Sequence, residues 1–164
     1  MTKSISRIFL LAGISLLCSI GTPSVASTVL AAHADSVVAA LKENGYQAKL
    51  EKGDDGSPQI ITASGGNKMV MTFSSCTKGD NCEYIELIAS WSGTSDADAR
   101  SAVTKWNGEE HFAAAIYLPK DKYVVLYHYI ITGSAGISDS SLIASIEYFD
   151  REYVQIGNGL TPAK

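Results

Sequence analysis

Clusters of basic residues are missing from this sequence, and so is any excess of positive charge. Thirteen Lys and Arg stand against 17 Asp and Glu, a net charge of −4 over 164 residues. A nucleic-acid surface needs a basic face to meet phosphates, so that class of partner is excluded. Beyond residue 20 no apolar stretch approaches the roughly 20 residues that a membrane-crossing helix requires, and the body of the chain is not expected to span a bilayer. Histidine and cysteine are scarce, at three residues each, which leaves few candidates for metal or nucleophilic chemistry. Internal repeats, low-complexity tracts and interdomain linkers are absent as well.

What is present begins with an export signal. Lys3 and Arg7 precede an uncharged apolar run over residues 8–20, which Gly21-Thr22-Pro23 breaks. Ser24 and Ala26 then place small residues three before and one before a cut. Basic, apolar and small-residue regions in that order are what a signal peptidase recognises. The run is shorter than an uncleaved anchor needs. Ala32-His33-Ala34 forms a second candidate cut, further from the apolar run, and Leu17 disfavours lipoprotein processing at Cys18. The expected organisation is a cleavable signal peptide at 1–26 and a single domain at 27–164, delivered to the periplasm or secreted. Cleavage after Ala26 removes two basic residues of 13, leaving 11 against 17 acids, a net charge of −6. The remaining 138 residues suffice for one hydrophobic core.

Export decides how the cysteines are read. Cys18 leaves with the signal, and Cys76 and Cys82 remain as an even pair in an oxidising compartment. A metal site would want further thiolates or histidines at ligand spacing. A thioredoxin-type redox pair has two intervening residues, not five. A structural disulfide is the expectation, and closing so short a loop contributes roughly 2 kcal/mol in the chain-entropy model.

Periodicity supplies the element order. Val37, Val38 and Leu41 share a helical face after Asp35, a candidate N-cap, and Gly45 stops that helix. Strand patterns follow at 46–52, 58–62, 68–74 and 83–91, separated by Asp54-Asp55-Gly56, Gly65-Gly66-Asn67 and the disulfide loop. Ser95 and Asp98 open a second helix with Ala99, Ala102, Val103 and Trp106 on one stripe, ended by Asn107-Gly108. Strands at 112–118 and 123–132 come next, then a loop at 133–136. Ser138 or Asp139 caps a last helix lined by Leu142, Ile146, Phe149 and Tyr153. Tight turns imply antiparallel pairing. The expected fold class is α+β, an antiparallel sheet with helices on one face, in the order α-ββββ-α-ββ-α.

Several of these features, in this order, resemble the YbjN-domain family. They are the first helix ending in Gly45-Tyr46, the Asp-Asp-Gly turn at 54–56, and Cys76 and Cys82 around a short polar loop. Trp106-Asn107 at the end of the middle helix and Gly136 before the last helix complete the set. The resemblance covers almost the whole domain. It implies a fold similar to type III secretion chaperones and a role as a bacterial sensory transduction regulator, and it brings no catalytic residues. One departure stands out. The family's last strand usually alternates acidic and apolar residues, whereas residues 123–131 here contain no acid, so both faces are apolar or aromatic.

A search for an active site finds weak candidates only. His33 lies near the processed terminus. His111 follows Glu109-Glu110 in what reads as a solvated turn. His128 alternates with Tyr127 and Tyr129 and so points away from them, without a serine or carboxylate at a telling spacing. Asp54-Asp55-Gly56 and Asp80-Asn81 lack the donor series of a calcium loop and read as turns. Gly133-Ser134-Ala135-Gly136 lacks the lysine and spacing of a phosphate loop. No catalytic, cofactor or metal residue is assigned. The expectation is a non-enzymatic, chaperone-like protein-binding or regulatory module with an envelope protein as partner; a homodimer is compatible with it. Its candidate surface is the last strand, with Tyr123, Tyr127, His128 and Tyr129. Two alternatives are a soluble carrier of a small apolar ligand held between sheet and helices, and a hydrolase built on His111 or His128.

Overall fold

The computed structural model describes residues 28–160. The signal-peptide assignment at 1–26 lies outside them. In chain order the elements are β1 (Thr28–Val29), α1 (Ala34–Glu43), β2 (Ala48–Lys52), β3 (Pro58–Ser64), β4 (Asn67–Ser74) and β5 (Tyr84–Ser92). There follow α2 (Asp96–Asn107), β6 (Ala114–Leu118), β7 (Tyr123–Ile131), β8 (Ile137–Ser138) and α3 (Asp139–Gly159). The α+β class and the antiparallel sheet hold, and the order differs from expectation by the short β1 and β8, which pair with each other.

Local sequence explains the element ends. Ser95 accepts the Asp98 amide at 3.2 Å and donates to the Asp98 carboxylate at 2.6 Å, capping α2. Ser138, rather than Asp139, caps α3 by accepting from the Ser141 amide. At α1 the cap position falls on His33, with Asp35 in the first turn where a negative charge suits the helix dipole. Gly45 takes a left-handed φ of +82°, which lets the Tyr46 amide reach back to the Leu41 carbonyl and close α1.

Six strands form one sheet in the order β2-β3-β4-β5-β7-β6. The chain leaves β5, passes through α2 to the far edge for β6, and returns as β7 between them. One face of this sheet is covered. Ile60, Met69, Met71, Ile85, Leu87, Val124 and Leu126 alternate along their strands and are buried. They meet Val37 and Leu41 of α1, Ala99 and Trp106 of α2, and Leu142, Ile146 and Phe149 of α3. Val29 and Ala31 also lie in this core, at 0% and 1% exposure. The Ala31 amide donates to Thr132 Oγ1 at 3.0 Å, so the segment before α1 is sewn into the domain.

Cys76 and Cys82 form a disulfide across the β4–β5 connection. Replacing both with alanine is expected to lower stability by about 2 kcal/mol, because the loop they close is short. The urea midpoint of the double variant against the oxidised protein measures this.

Candidate interaction surface

The second face of the sheet has no described element over it. Register places Tyr84, Glu86 and Ile88 of β5 beside Ile131, Tyr129 and Tyr127 of β7. Val125 and Tyr123 continue that row, opposite Ile116 and Leu118 of β6. Ile61 and Val70 extend it across β3 and β4. These side chains are exposed or half-buried, and Ile131 reaches 75% exposure. Four charged residues share this face: Lys49, Glu51, Lys68 and Glu86. Only Glu86 stands on the strands that carry the tyrosines. Apolar and aromatic side chains therefore predominate where β5, β6 and β7 meet on this face.

The tyrosines contact one another edge to face. Tyr84 and Tyr129 have ring centroids 5.3 Å apart at 88°, and Tyr127 and Tyr129 lie 5.6 Å apart at 67°. Glu86 sits directly across from Tyr129 and accepts a hydrogen bond from Thr72 at 3.4 Å. The Glu86 carboxylate is the first cause that raises the Tyr129 hydroxyl above its ordinary pKa, followed by burial and the Tyr127 hydroxyl. Of the four residues singled out on this strand, Tyr123, Tyr127 and Tyr129 come together here. His128 faces the helices, as strand alternation requires.

On the covered side, His128 belongs to a latch between α3 and the start of β6. Its Nδ1 donates to the Phe112 carbonyl at 2.9 Å, and its ring stacks on Phe112 at 3.6 Å. Glu152 of α3 accepts the Phe112 and Ala113 amides, one on each carboxylate oxygen, both at 2.6 Å. His111 stacks on Trp106 at 3.5 Å and lies 3.6 Å from Glu152 and 3.4 Å from Glu109. Trp106 donates its indole N–H to the Ala113 carbonyl, and the Asn107 amide exchanges two hydrogen bonds with the Ala115 backbone. Both oxygens of Glu152 and Nδ1 of His128 are thus committed to the backbone, a positioning arrangement. Asn107, expected from the sequence as a helix end and as half of the Trp106-Asn107 pair, also holds β6, while Glu152 carries a role that no local pattern signals.

Burial lowers the His128 pKa below its ordinary 6.5, with the Phe112 carbonyl and then Glu152 opposing. The unfolded chain therefore binds the proton first as pH falls. Stability from this group is full above about 6.5 and declines below it toward the folded pKa. Denaturation midpoints between about pH 7.5 and 5 should fall less steeply for His128→Gln than for the native protein.

The latch also blunts the free edge of β6. Asn107 occupies both backbone groups of Ala115 where another strand would pair, and β2 at the opposite edge carries Lys49, Glu51 and Lys52. The sheet therefore presents its face rather than its edges. Between sheet and helices, the space an apolar ligand would need is filled by Phe149, Leu41, Ile60 and Leu126, all fully buried. A cleft of about 280 Å³ between α2 and α3 is lined by Asp98, Lys105, Glu109 and Gln155 together with Trp106 and Ile156. The acidic turns use their side chains locally: Asp55 accepts the Ser57 amide and Asp80 the Asn81 amide.

The family model of YbjN, described as "Putative bacterial sensory transduction regulator", matches residues 33–160. The chain belongs to the YbjN family. The match runs from the cap of α1 to the end of α3 and includes all six strands of the large sheet. No curated protein matches the sequence. Family membership supports a regulatory or binding module. Within this YbjN domain, the Trp106-Asn107 pair anchors the first half of β6, and Gly136 admits β1, as the close approach of Thr28 and Val29 to it shows.

Proposed function

We propose that this YbjN protein is an exported, non-enzymatic regulatory module that binds a segment of a partner protein across the open face of its sheet. The observation that carries the reading is the uncovered aromatic row of Tyr84, Tyr123, Tyr127 and Tyr129 with Ile131. Tyrosine gives a contact both apolar area and a polar tip at small entropic loss. On β5 and β7 the one charge of this face is the Glu86 carboxylate, so the partner segment is apolar with positive charge. A module outside the cytoplasm regulates through envelope partners rather than DNA.

The test is loss of a partner by surface. Ile131→Asp and Tyr123→Asp should abolish co-purification of one defined protein from the envelope fraction, and Val154→Asp on α3 should not. Equal loss from Val154→Asp, or retention with Ile131→Asp, overturns the reading, as does recovery of a second copy of this chain alone.

Export predicts a particular mature terminus. Cleavage after Ala34 would remove Val29 and Ala31 from the core, together with the bond from the Leu30 amide to Ser36. Cleavage after Ala26 leaves β1 whole. Amino-terminal sequencing of the protein from the periplasm or medium should read Ser27-Thr28-Val29. A start at Asp35, or an intact Met1 in the cytoplasm, contradicts it.

A further inference from the structure

Glu86 is a half-buried carboxylate in the middle of an aromatic surface. Among the described residues no lysine or arginine pairs with it. Lys49 is held by Glu51 at the far edge of the sheet. Arg100 and Arg151 lie over Tyr117 and Tyr148, at 5.3 and 4.1 Å from the ring centroids and away from the open face, while Lys68 shares that face at the start of β4, opposite Ala63. The Thr72 hydroxyl donates to Glu86 at 3.4 Å, and the Tyr129 hydroxyl hydrogen-bonds it as well. Around the carboxylate stand Tyr129 directly opposite, Tyr84 two residues before it, and Tyr127 beyond, with ring planes at 88° and 67° to Tyr129. Steeply inclined rings offer both faces and edges to one incoming group. A cation on such a surface gains from the ring quadrupoles and from the anion together.

We propose that Tyr84, Glu86, Tyr127 and Tyr129 form a receptor for an arginine side chain of the partner segment, whose guanidinium meets the Glu86 carboxylate between the tyrosine rings. A planar guanidinium suits this frame better than an ammonium ion. It stacks on an aromatic ring while its fork of N–H groups meets a carboxylate, and it is less strongly hydrated. The inference rests on the open face being the docking surface and specifies what the docking segment carries. It also explains why the aromatic strands β5 and β7 keep one acid on this face: Glu86 selects a cationic segment and rejects an acidic one.

The experiment uses the protein as it accumulates in cells, labelled with ¹⁵N, titrated with N-acetyl-arginine methylamide and separately with the neutral isostere N-acetyl-citrulline methylamide. The arginine probe should shift amide resonances of residues 84–88 and 127–131 and the citrulline probe should not. Glu86→Gln should weaken the arginine titration about tenfold, and Tyr129→Leu should weaken it as well, with the rest of the spectrum unchanged. Equal responses to both probes, shifts located elsewhere, or native binding by Glu86→Gln overturn the proposal. Should the arginine probe fail while Ile131→Asp still abolishes partner binding, this inference falls and the docking reading stands. Specific probe binding without any partner at the open face removes the docking reading and leaves a cation site on the sheet, which overturns the partner's arginine as its occupant.

Discussion

Ile130→Ala is expected to destabilise the domain by about 2–5 kcal/mol, whereas Ile131→Ser, one residue on, should change stability by no more than about 0.5 kcal/mol. The two residues have the same side chain and the same strand. They differ in face: Ile130 is 6% exposed and Ile131 is 75% exposed. Truncating the first removes buried methylenes and leaves a cavity that rigid neighbours fill only in part. Ile130 pairs with Ile85 and joins the core that Phe149 and Leu142 complete from α3. Truncating the second removes surface that water already touches. Urea unfolding of both variants under one set of conditions gives the comparison. A large loss for Ile131→Ser would mean that the isolated protein covers this face itself, by a second copy or by residues beyond 28–160.

Gly136→Ala should destabilise by about 2–4 kcal/mol, more than Gly133→Ala in the same loop, for which about 1–2 kcal/mol is expected. Both glycines have left-handed φ, +75° and +60°, so both substitutions incur backbone strain. Only at Gly136 does the added methyl meet atoms. Its Cβ would stand 2.3 Å from Thr28 Cγ2 and 2.8 Å from the Val29 carbonyl oxygen, while nothing lies within 4 Å at Gly133. A carbonyl in a β1–β8 pair cannot move aside without breaking that pair, and Val29 behind it is fully buried. The difference between the two variants therefore measures how firmly residues 28–31 are held. If the variants lose equal stability, β1 is not bound as described, and the argument that fixes the mature terminus at Ser27 loses its support.

Elements with a strong local period were legible from sequence. Helices α2 and α3 announced themselves through Ser95, Ser138 and stripes ending in Trp106 and Tyr153. The strands followed from alternation, as Met69, Met71 and Phe73 illustrate. What stayed hidden was long-range. Two residues of β1 carry no period, and their partner lies over a hundred residues on at Ile137-Ser138. The insertion of β7 between β5 and β6 sets which tyrosine meets Glu86, and no local pattern encodes that order. Glu152 looks like any acid on a helix surface until α3 packs and brings it to the Phe112 and Ala113 amides, about forty residues back. For the candidate surface, alternation correctly separated His128 from Tyr127 and Tyr129, but it could not say which side the helices would cover.

That covered and uncovered division carries the functional account. Every described helix packs on one side of the sheet, both edges are blunted by charge or by Asn107, and the other side exposes tyrosines around a single carboxylate on the central strands. Photo-crosslinking tests this most directly. A benzophenone side chain placed in cells at Tyr123, Tyr127 or Ile131, and as a control at Val154, should give adducts of one defined size from the three sheet positions and none from the helix. Adducts from Val154 equal to those from the sheet, dimers of this chain alone, or no adduct at any sheet position would contradict it.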